Sequence, residues 1–328
     1  MTEQSFVRRR SRIWSEFAVL IKGNRRRLTK GSLQFLKSFR EITQDLNTAK
    51  ANGFNPAIIE KLNTLVNEGN QILYSQRGWS VKALVLFLIK IFPQKVRSHW
   101  RGILAVSLLF YGLFLFFGLL CFRFPGISKE LVSAYELSQY EDMYDPASVH
   151  FLQPRDVSGD ADMFGFYIFN NISIAFRTFA GGIFAGFGSL LILCINGVKS
   201  GIIEGHLIHT GYAKTLIPFV IAHSALELTA IIFSAYSGMF MGYRFFVTNG
   251  LSRGASIKKA GQDALPIIAG SALMLFIAAA IEAFWSSKHT LPFTLRIGAG
   301  IAVWILVLSY FLFTGRVSAK GKNNEHSV

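Results

Sequence analysis

The feature that most constrains the fold is an uncharged apolar run of 20 residues, Ile103–Phe122. A helix needs about 20 apolar residues to cross the hydrocarbon core of a bilayer, so this run predicts a transmembrane helix. Four further apolar runs follow it: Thr178–Val198, Thr215–Tyr243, Ala264–Ile281 and Ile297–Gly315. With 51% apolar and 16% charged residues, the chain is not an ordinary soluble domain. We expect an all-α, polytopic membrane helix bundle of five to six spans.

The net charge of +15 is distributed unevenly along the 328 residues. Residues 1–102 carry 19 basic and 6 acidic side chains, whereas residues 123–165 carry 3 and 8. Because Lys and Arg favour the cytoplasmic flanks of spans, we expect residues 1–102 inside and residues 123–165 outside. The basic loop 244–262 and the tail then return to the cytoplasm only if segment 164–215 crosses twice, or enters and leaves on the outer face. We favour this arrangement, in the cytoplasmic (inner) membrane with both termini inside.

Segment 164–215 also has an irregular pattern. Its first apolar part, Phe164–Phe176, is only 13 residues long and contains Asn170 and Asn171, and a glycine-rich run follows. Broken or re-entrant helices fit this pattern. Such backbone is tolerated at membrane depth only where it is buried in protein or lines a wet cavity.

The basic arm, residues 1–102, is expected to be helical and cytoplasmic. Apolar residues recur at helical spacing from Leu33 to Tyr74, with a break at Asn52–Pro56, which predicts a helical hairpin. The run Val81–Phe92 is too short for a span and suits an interfacial helix. An Arg-rich presequence remains an alternative for residues 1–22.

These patterns divide the chain into five parts. They are the arm at 1–102, the first span at 103–122, an acidic extracytoplasmic loop at 123–163, a helix bundle at 164–315 and a basic tail at 316–328. The arm's charge could attract nucleic acid, but it adjoins a span and shows no recognised nucleic-acid fold. We therefore expect it to bind anionic lipid of the bilayer and no nucleic acid.

Glycines in the apolar runs recur four residues apart, which lets helices approach closely and predicts packing rather than chemistry. They are Gly182, Gly186, Gly197, Gly201, Gly205, Gly238 and Gly242.

His223 and Glu227 lie four residues apart in an apolar run, so they share one helix face. Three alternatives are open: the pair neutralises itself through a hydrogen bond, it relays protons or coordinates an ion, or it binds metal. Glu204, His206 and His209 would be weak additional metal ligands, without the spacing of a known metal motif.

Other polar residues are candidates because ionisable and amide groups are costly inside a membrane. Glu282 ends an apolar run, and we expect it at an interface, snorkelling or capping against Lys288. Asn170, Asn171 and Asn196 would line a pathway if the protein transports ions. No nucleophile elbow, phosphate loop, zinc-protease or nucleotide motif occurs, so we expect no enzyme activity and no cofactor.

The order of elements resembles the stage II sporulation protein M family over most of the chain. The resemblance rests on segments in both halves: Phe6-Val-x-x-Arg9 with Trp14, Asp45-Leu46-x-x-Ala49, Leu62-Asn63-x-Leu65-Val66, Phe92-Pro93-x-x-x-Arg97-x-x-Trp100-Arg101, Tyr167-Ile-Phe-Asn170-Asn171, Phe179-Ala-x-Gly182 to Asn196-Gly197-x-x-x-Gly201, His223-x-x-x-Glu227 and Ile281-Glu282-Ala-Phe284. The family's helix commonly reads Pro-His-Gly-x-x-Glu-x-Pro-Ala. Here His223 and Glu227 remain while the flanking Pro and Gly do not, which argues against a helix break.

The resemblance implies a membrane anchor, because the founding member anchors cell-wall-degrading partners and most relatives have no assigned activity. We expect a non-enzymatic scaffold with envelope or membrane protein partners, and a homo-oligomer is open. The alternative is an ion- or proton-coupled transporter, channel or permease subunit that uses His223 and Glu227.

Overall fold

The computed structural model describes residues 2–22, 33–74, 80–148, 157–288 and 291–316. The described residues form helices and no strands, which confirms the all-α prediction. Five of these helices are long and apolar enough to cross a membrane: Trp100–Arg123, Phe187–His209, Ala213–Phe246, Arg253–Ser286 and Phe293–Phe313. The basic tail beyond residue 316 and residues 149–156 of the acidic loop lie outside the described residues. The chain divides into two compact units, Met1–Ser80 and Val81–Val328.

The first unit consists of α1 (Glu3–Lys22), α2 (Leu33–Ala51) and α3 (Pro56–Tyr74). Each helix buries one apolar face, because the apolar residues repeat at the helical period. The shared core contains Phe6, Trp14, Phe17, Ile21, Phe35, Ile42, Leu46, Ala49, Phe54, Leu62, Leu65 and Ile72. Helix α1, for which a presequence was the alternative, thus supplies four of the large core side chains.

The predicted hairpin between α2 and α3 is confirmed. Gly53 has a φ of +61°, a left-handed conformation that glycine adopts without strain. The Asn55 Oδ1 atom accepts a hydrogen bond from the Ala57 amide at 2.9 Å, and Pro56 is the first helical residue. The Asn55 amide donates to the Glu3 carboxylate at 2.8 Å, which ties the turn to α1.

One buried carboxylate links α1 to α2. Asp45 is 6% exposed and accepts hydrogen bonds from Trp14 Nε1 and Arg10 Nε, both at 2.8 Å. The hydrogen bond to Asp45 raises the pKa of the Arg10 guanidinium. Charge and hydrogen bonding therefore compensate the burial of Asp45.

The second unit begins with α4 (Val81–Leu86), a π turn (Phe87–Ile91) and α5 (Phe92–Ser98). The charge pattern of the sequence assigns this segment to the arm, residues 1–102. In the structure it packs on the bundle, because Phe92 is 2% exposed and its ring lies 5.3 Å from that of Phe311. The compact arm unit accordingly ends at Ser80 and not at residue 102.

The bundle continues with α6 (Trp100–Arg123), followed by two short helices, α7 (Pro125–Leu131) and α8 (Ala134–Tyr144). We call residues 125–144 the cap. Most of the described acidic loop is thus helical, and Ser133 begins α8 by accepting a hydrogen bond from the Glu136 amide.

Segment 164–215 folds into a helical hairpin. Helix α9 (Val157–Ala180) runs unbroken through its two asparagines, and α10 (Phe187–His209) returns. A short 3₁₀ turn at Gly181–Ile183 joins them, with positive φ values of 55° at Ala185 and 88° at Gly186. The predicted break therefore lies at the glycine run.

Three further helices complete the bundle: α11 (Ala213–Phe246), α12 (Arg253–Ile281), which a π turn (Glu282–Ser286) continues, and α13 (Phe293–Phe313). Contacts at the helix ends fix their directions. Lys288 bonds to Asp160 and His209 bonds to the Phe122 carbonyl at the cap end, whereas Ser256 bonds to the Arg244 carbonyl at the opposite end.

Helices α9 and α10 are therefore antiparallel, and the bundle contains α9 in addition to the five apolar helices. The loop 247–252 lies at the end opposite the cap. Residues 314–316 lie there as well, because Gln94 in α5 donates to the Gly315 carbonyl.

The glycines let the helices approach closely. A Cβ atom at Gly201 would clash with the Phe114 carbonyl oxygen of α6, and one at Gly205 would clash with the backbone of Gly118. The other five predicted packing glycines, Gly182, Gly186, Gly197, Gly238 and Gly242, also lie against the backbone of another segment. Close backbone contact of this kind holds membrane helices together where apolar burial supplies little driving force.

Candidate functional site

His223, Glu227 and Glu282 form one group inside the bundle, which we call the acid–histidine cluster. One nitrogen of His223 and one carboxylate oxygen of each glutamate all lie within 4.8 Å of one another. His223 and Glu227 are one turn apart on α11, and Glu282 begins the π turn after α12. The predicted partner of Glu282, Lys288, instead donates to Asp160 at 2.6 Å.

The π turn Glu282–Ser286 positions a second residue against His223. Ser286 is fully buried, and its Oγ atom lies 3.1 Å from His223 Nδ1. The imidazole also hydrogen-bonds to the carbonyl of Phe219, one turn earlier on α11. The ring is therefore held by Ser286 and the backbone and not by a hydrogen bond to Glu227. π-helical turns inside α-helices frequently mark functional sites.

A third acidic residue, Glu204 on α10, lies close enough for its charge to repel that of Glu227. Within the described part of the chain, neither carboxyl group has a hydrogen bond or an ion pair. An uncompensated carboxylate at membrane depth costs several kcal/mol. Each of these groups must therefore bind a proton or lie beside a cation.

Arg296 on α13 supports the π turn from its other side. Its side chain is 5% exposed, and its NH2 group donates to the Ser286 carbonyl at 2.7 Å. The Nε atom has no hydrogen-bond partner among the described residues. A buried guanidinium thus fixes the backbone of the residue that holds His223.

The cap covers the cluster with an aromatic side chain. The Tyr144 ring, 8% exposed, lies 5.8 Å from the Phe219 ring, which in turn lies 5.4 Å from the His223 ring. Burial raises the pKa of the Tyr144 phenol, and the charges of Glu282 and Glu204 raise it further. The cap therefore lies over the cluster, with Tyr144 close to its carboxyl groups.

The two histidines near the end of α10 hold the cap region instead of joining Glu204. His206 is 1% exposed, with Nε2 2.6 Å from Glu141 Oε1 and Nδ1 2.9 Å from Ser128 Oγ. His209 hydrogen-bonds through Nδ1 to the Phe122 carbonyl at 2.8 Å. Both histidines connect α10 to the segment from Phe122 to Glu141.

The three asparagines make local hydrogen bonds. Asn170 is exposed and donates to Asn171 Oδ1 at 3.0 Å, while Asn196 donates to the Ile192 carbonyl one turn earlier. Asn171 is 2% exposed, and its Nδ2 atom has no partner among the described residues. The structure thus gives the asparagines local roles that their spacing in the sequence did not indicate.

Residues 107–287, more than half of the chain, match the family model for stage II sporulation protein M. The chain belongs to the stage II sporulation protein M family. Residues 4–75 match a domain of unknown function (DUF8413). Comparisons with curated proteins and with solved structures give no match.

Membership of the stage II sporulation protein M family confirms the resemblance and places the protein among multi-pass membrane proteins. The matched stretch contains Glu204, His223, Glu227 and Glu282. Helix α11 is continuous from Ala213 to Phe246, so this family member has no helix break beside His223, as the loss of the flanking Pro and Gly predicted. Sequence reasoning missed Tyr144, Ser286 and Arg296, which carry no motif.

Proposed function

We propose that this protein is a non-enzymatic, multi-pass scaffold of the cytoplasmic membrane, with partner surfaces on both sides. The fixed position of the cap carries the proposal. The His206 bonds to Glu141 and Ser128 are buried or partly buried, and Lys199 pairs with Glu136 at 2.6 Å. A surface that is already ordered loses less conformational entropy when a partner docks.

The distribution of charge supports an extracytoplasmic cap. The cap has four acidic residues and one basic residue. The opposite end of the second unit is basic, with Lys82, Lys90, Lys95, Arg97, Arg101, Arg177, Arg244, Arg253, Lys258, Lys259 and Arg316. Under the positive-inside rule this basic end faces the cytoplasm, and the arm that precedes it in the chain is cytoplasmic too.

The exposed face of the cap defines the partner chemistry. Tyr135 is 75% exposed, and Leu131 and Met143 are each 53% exposed, beside the exposed acidic residues Glu130 and Asp142. Apolar and aromatic side chains with acidic neighbours suit a partner that has a basic rim around an apolar contact. We propose an envelope protein of this kind, in line with the cell-wall-remodelling partners that the family resemblance implies.

The arm supplies the second surface. Its exposed arginines Arg8, Arg9 and Arg12 lie on α1, opposite the buried Trp14 face. Juxtamembrane basic groups are attracted to anionic lipid headgroups. We propose that the arm binds the inner leaflet, and that protein partners or a second copy of the chain dock beside it.

Site-specific photocrosslinking in native membranes tests the scaffold. A photoreactive residue replacing Tyr135 is expected to give a discrete protein adduct that Glu130→Lys abolishes. The same residue replacing Leu306, a 66% exposed side chain on the apolar helix α13, is the matched control and is expected to give only lipid adducts. A Tyr135 adduct pattern identical to that of Leu306 contradicts the proposal.

A second candidate function is favoured by the acid–histidine cluster. A carboxyl group such as that of Glu227, which has no hydrogen-bond or ion-pair partner among the described residues and lies beside a histidine at membrane depth, is typical of proton- and ion-coupled transport. In that case Glu227 and His223 would carry the transported or coupling ion, and liposomes containing the protein would show flux.

A further inference from the structure

We infer that the acid–histidine cluster binds one divalent transition-metal ion, zinc or manganese, through His223, Glu227 and Glu282. The ion would join α11 and the π turn after α12 beneath the cap, with the Glu204 carboxyl group of α10 as a further nearby acidic group. This inference is independent of the scaffold role.

The donor geometry supports one ion. Ligand atoms around a zinc ion lie about 2.0–2.2 Å from the metal, and hence about 3–3.5 Å from one another. The three donors of His223, Glu227 and Glu282 lie within 4.8 Å of one another without an ion. Side-chain rotations that move the three donor atoms by about 1 Å would bring these atoms to the spacing that one bound ion requires. Nitrogen and carboxylate donors without cysteine select zinc or manganese over softer metals.

The buried carboxyl groups need a proton or a cation, and several of them close together favour a divalent cation. Glu204 and Glu227 have no hydrogen-bond or ion-pair partner in the described ranges, and their charges repel one another. A divalent ion offsets two carboxylate charges at once. Buried carboxylates of this kind are commonly paired or bound to metal.

The residues around His223 fix the orientation of its imidazole ring, as hydrogen-bond partners do for histidines that bind metal. Its Nδ1 atom is engaged by Ser286 Oγ, so coordination of the ion would use Nε2. Metal-binding histidines usually use the other ring nitrogen for such a hydrogen bond, which sets the tautomer and the ring plane. Arg296 holds the Ser286 carbonyl and so keeps that hydroxyl in place.

The test measures metal bound to the full-length protein in detergent micelles. The protein is equilibrated with zinc or manganese at a buffered micromolar free concentration, desalted and analysed by elemental mass spectrometry. We expect about one ion per wild-type chain, and an affinity at least about tenfold lower in Glu227→Gln and Glu282→Gln. Glu130→Gln, an exposed carboxylate of the cap, is the matched control and keeps wild-type binding. Size-exclusion chromatography checks the fold of each variant.

Two results overturn the inference: wild-type protein that binds neither metal, or binding that survives unchanged in both folded glutamate variants. X-ray absorption spectroscopy at the metal edge of the metal-loaded wild-type protein identifies the coordinating atoms without any variant. One imidazole among oxygen donors is expected, and a shell of oxygen alone contradicts the proposed ligands.

Discussion

His206 Nε2 on α10 lies 2.6 Å from Glu141 Oε1 on α8, and the opposite ring nitrogen meets Ser128 on α7. One buried imidazole therefore joins both helices of the cap to the bundle. Together with the Lys199–Glu136 ion pair and the packing of Val132 and Leu137 beside Cys121 and Ile202, this imidazole makes the cap part of the folded protein, although its sequence is that of a polar loop.

Replacing this imidazole is expected to free the cap. His206→Leu removes the partner of the Glu141 carboxylate and one of the two hydrogen bonds of Ser128 Oγ, at a cost of about 1–3 kcal/mol to local stability. Hydrogen exchange of the full-length protein is expected to accelerate in residues 125–144 and to remain unchanged in α12. Gln139→Leu, at an exposed position of α8, serves as the control. Unchanged exchange in the cap of His206→Leu would show that other contacts hold it.

The glycine contact between α6 and α10 gives a second prediction. An added Cβ at Gly201 meets backbone atoms of Phe114 and Gly118, which cannot rotate away. Gly201→Ala is expected to destabilise the bundle by about 1–3 kcal/mol in a denaturation titration in micelles. Gly112→Ala on α6, where nothing lies within 4 Å, is the control and should be neutral or slightly stabilising. Equal effects of the two substitutions would argue against this interface.

His99, just before α6, makes stability depend on pH. Its Nδ1 atom lies 2.6 Å from the Tyr236 hydroxyl, and its ring packs edge-on against Phe240 at 4.9 Å. Burial lowers the pKa of His99, the charge of Lys95 lowers it further, and Asp263 opposes the shift. The folded state thus favours the neutral ring, whereas the unfolded chain takes up a proton near pH 6.5.

This contribution to stability is complete above about pH 6.5 and is lost as the pH falls toward the lower folded pKa. The melting temperature in micelles is expected to fall between pH 7.5 and pH 5.5, and to fall less in His99→Phe, which keeps the ring contact with Phe240. An equal fall in both proteins would assign the pH dependence to other groups.

The proposed orientation predicts which residues a membrane-impermeant thiol reagent reaches. The native cysteines Cys121 and Cys194 are buried and half-buried, so they give a low background. Ser138→Cys in the cap is expected to react in intact cells. Lys258→Cys at the opposite end is expected to react only after permeabilisation. The reverse pattern would place the cap in the cytoplasm.

Local sequence patterns predicted much of the fold. The break at Asn52–Pro56, the run Ile103–Phe122 and the continuity of α11 through His223 each depend on residues close together in the chain, and each is found in the structure. The predicted arm, residues 1–102, extends beyond the compact unit Met1–Ser80, because the charges of Lys95 and Arg97 resemble those of the arm. Tertiary contacts, such as the packing of Phe92 on Phe311, show that this segment belongs to the bundle.

The site was harder to predict because its residues come from distant parts of the chain. Spacing brought His223 and Glu227 together, but no local pattern indicates that Glu282 lies beside them, or that Ser286 is the hydrogen-bond partner of His223. The π turn shifts the helical register at Glu282–Ser286, and an ideal helical period does not anticipate that shift. Tyr144 reaches the cluster only because the cap folds back onto the bundle.

Flux measurements on reconstituted liposomes test the central claim, that this stage II sporulation protein M family member is a scaffold and not a transporter. Proton, monovalent-cation and manganese flux are compared for wild type, His223→Gln and Glu227→Gln, with monodispersity in size-exclusion chromatography as the folding control. The scaffold predicts that all three proteins are inert across pH 5.5–8. Flux through the wild-type protein that folded His223→Gln and Glu227→Gln lose would contradict it and make the acid–histidine cluster the transport pathway.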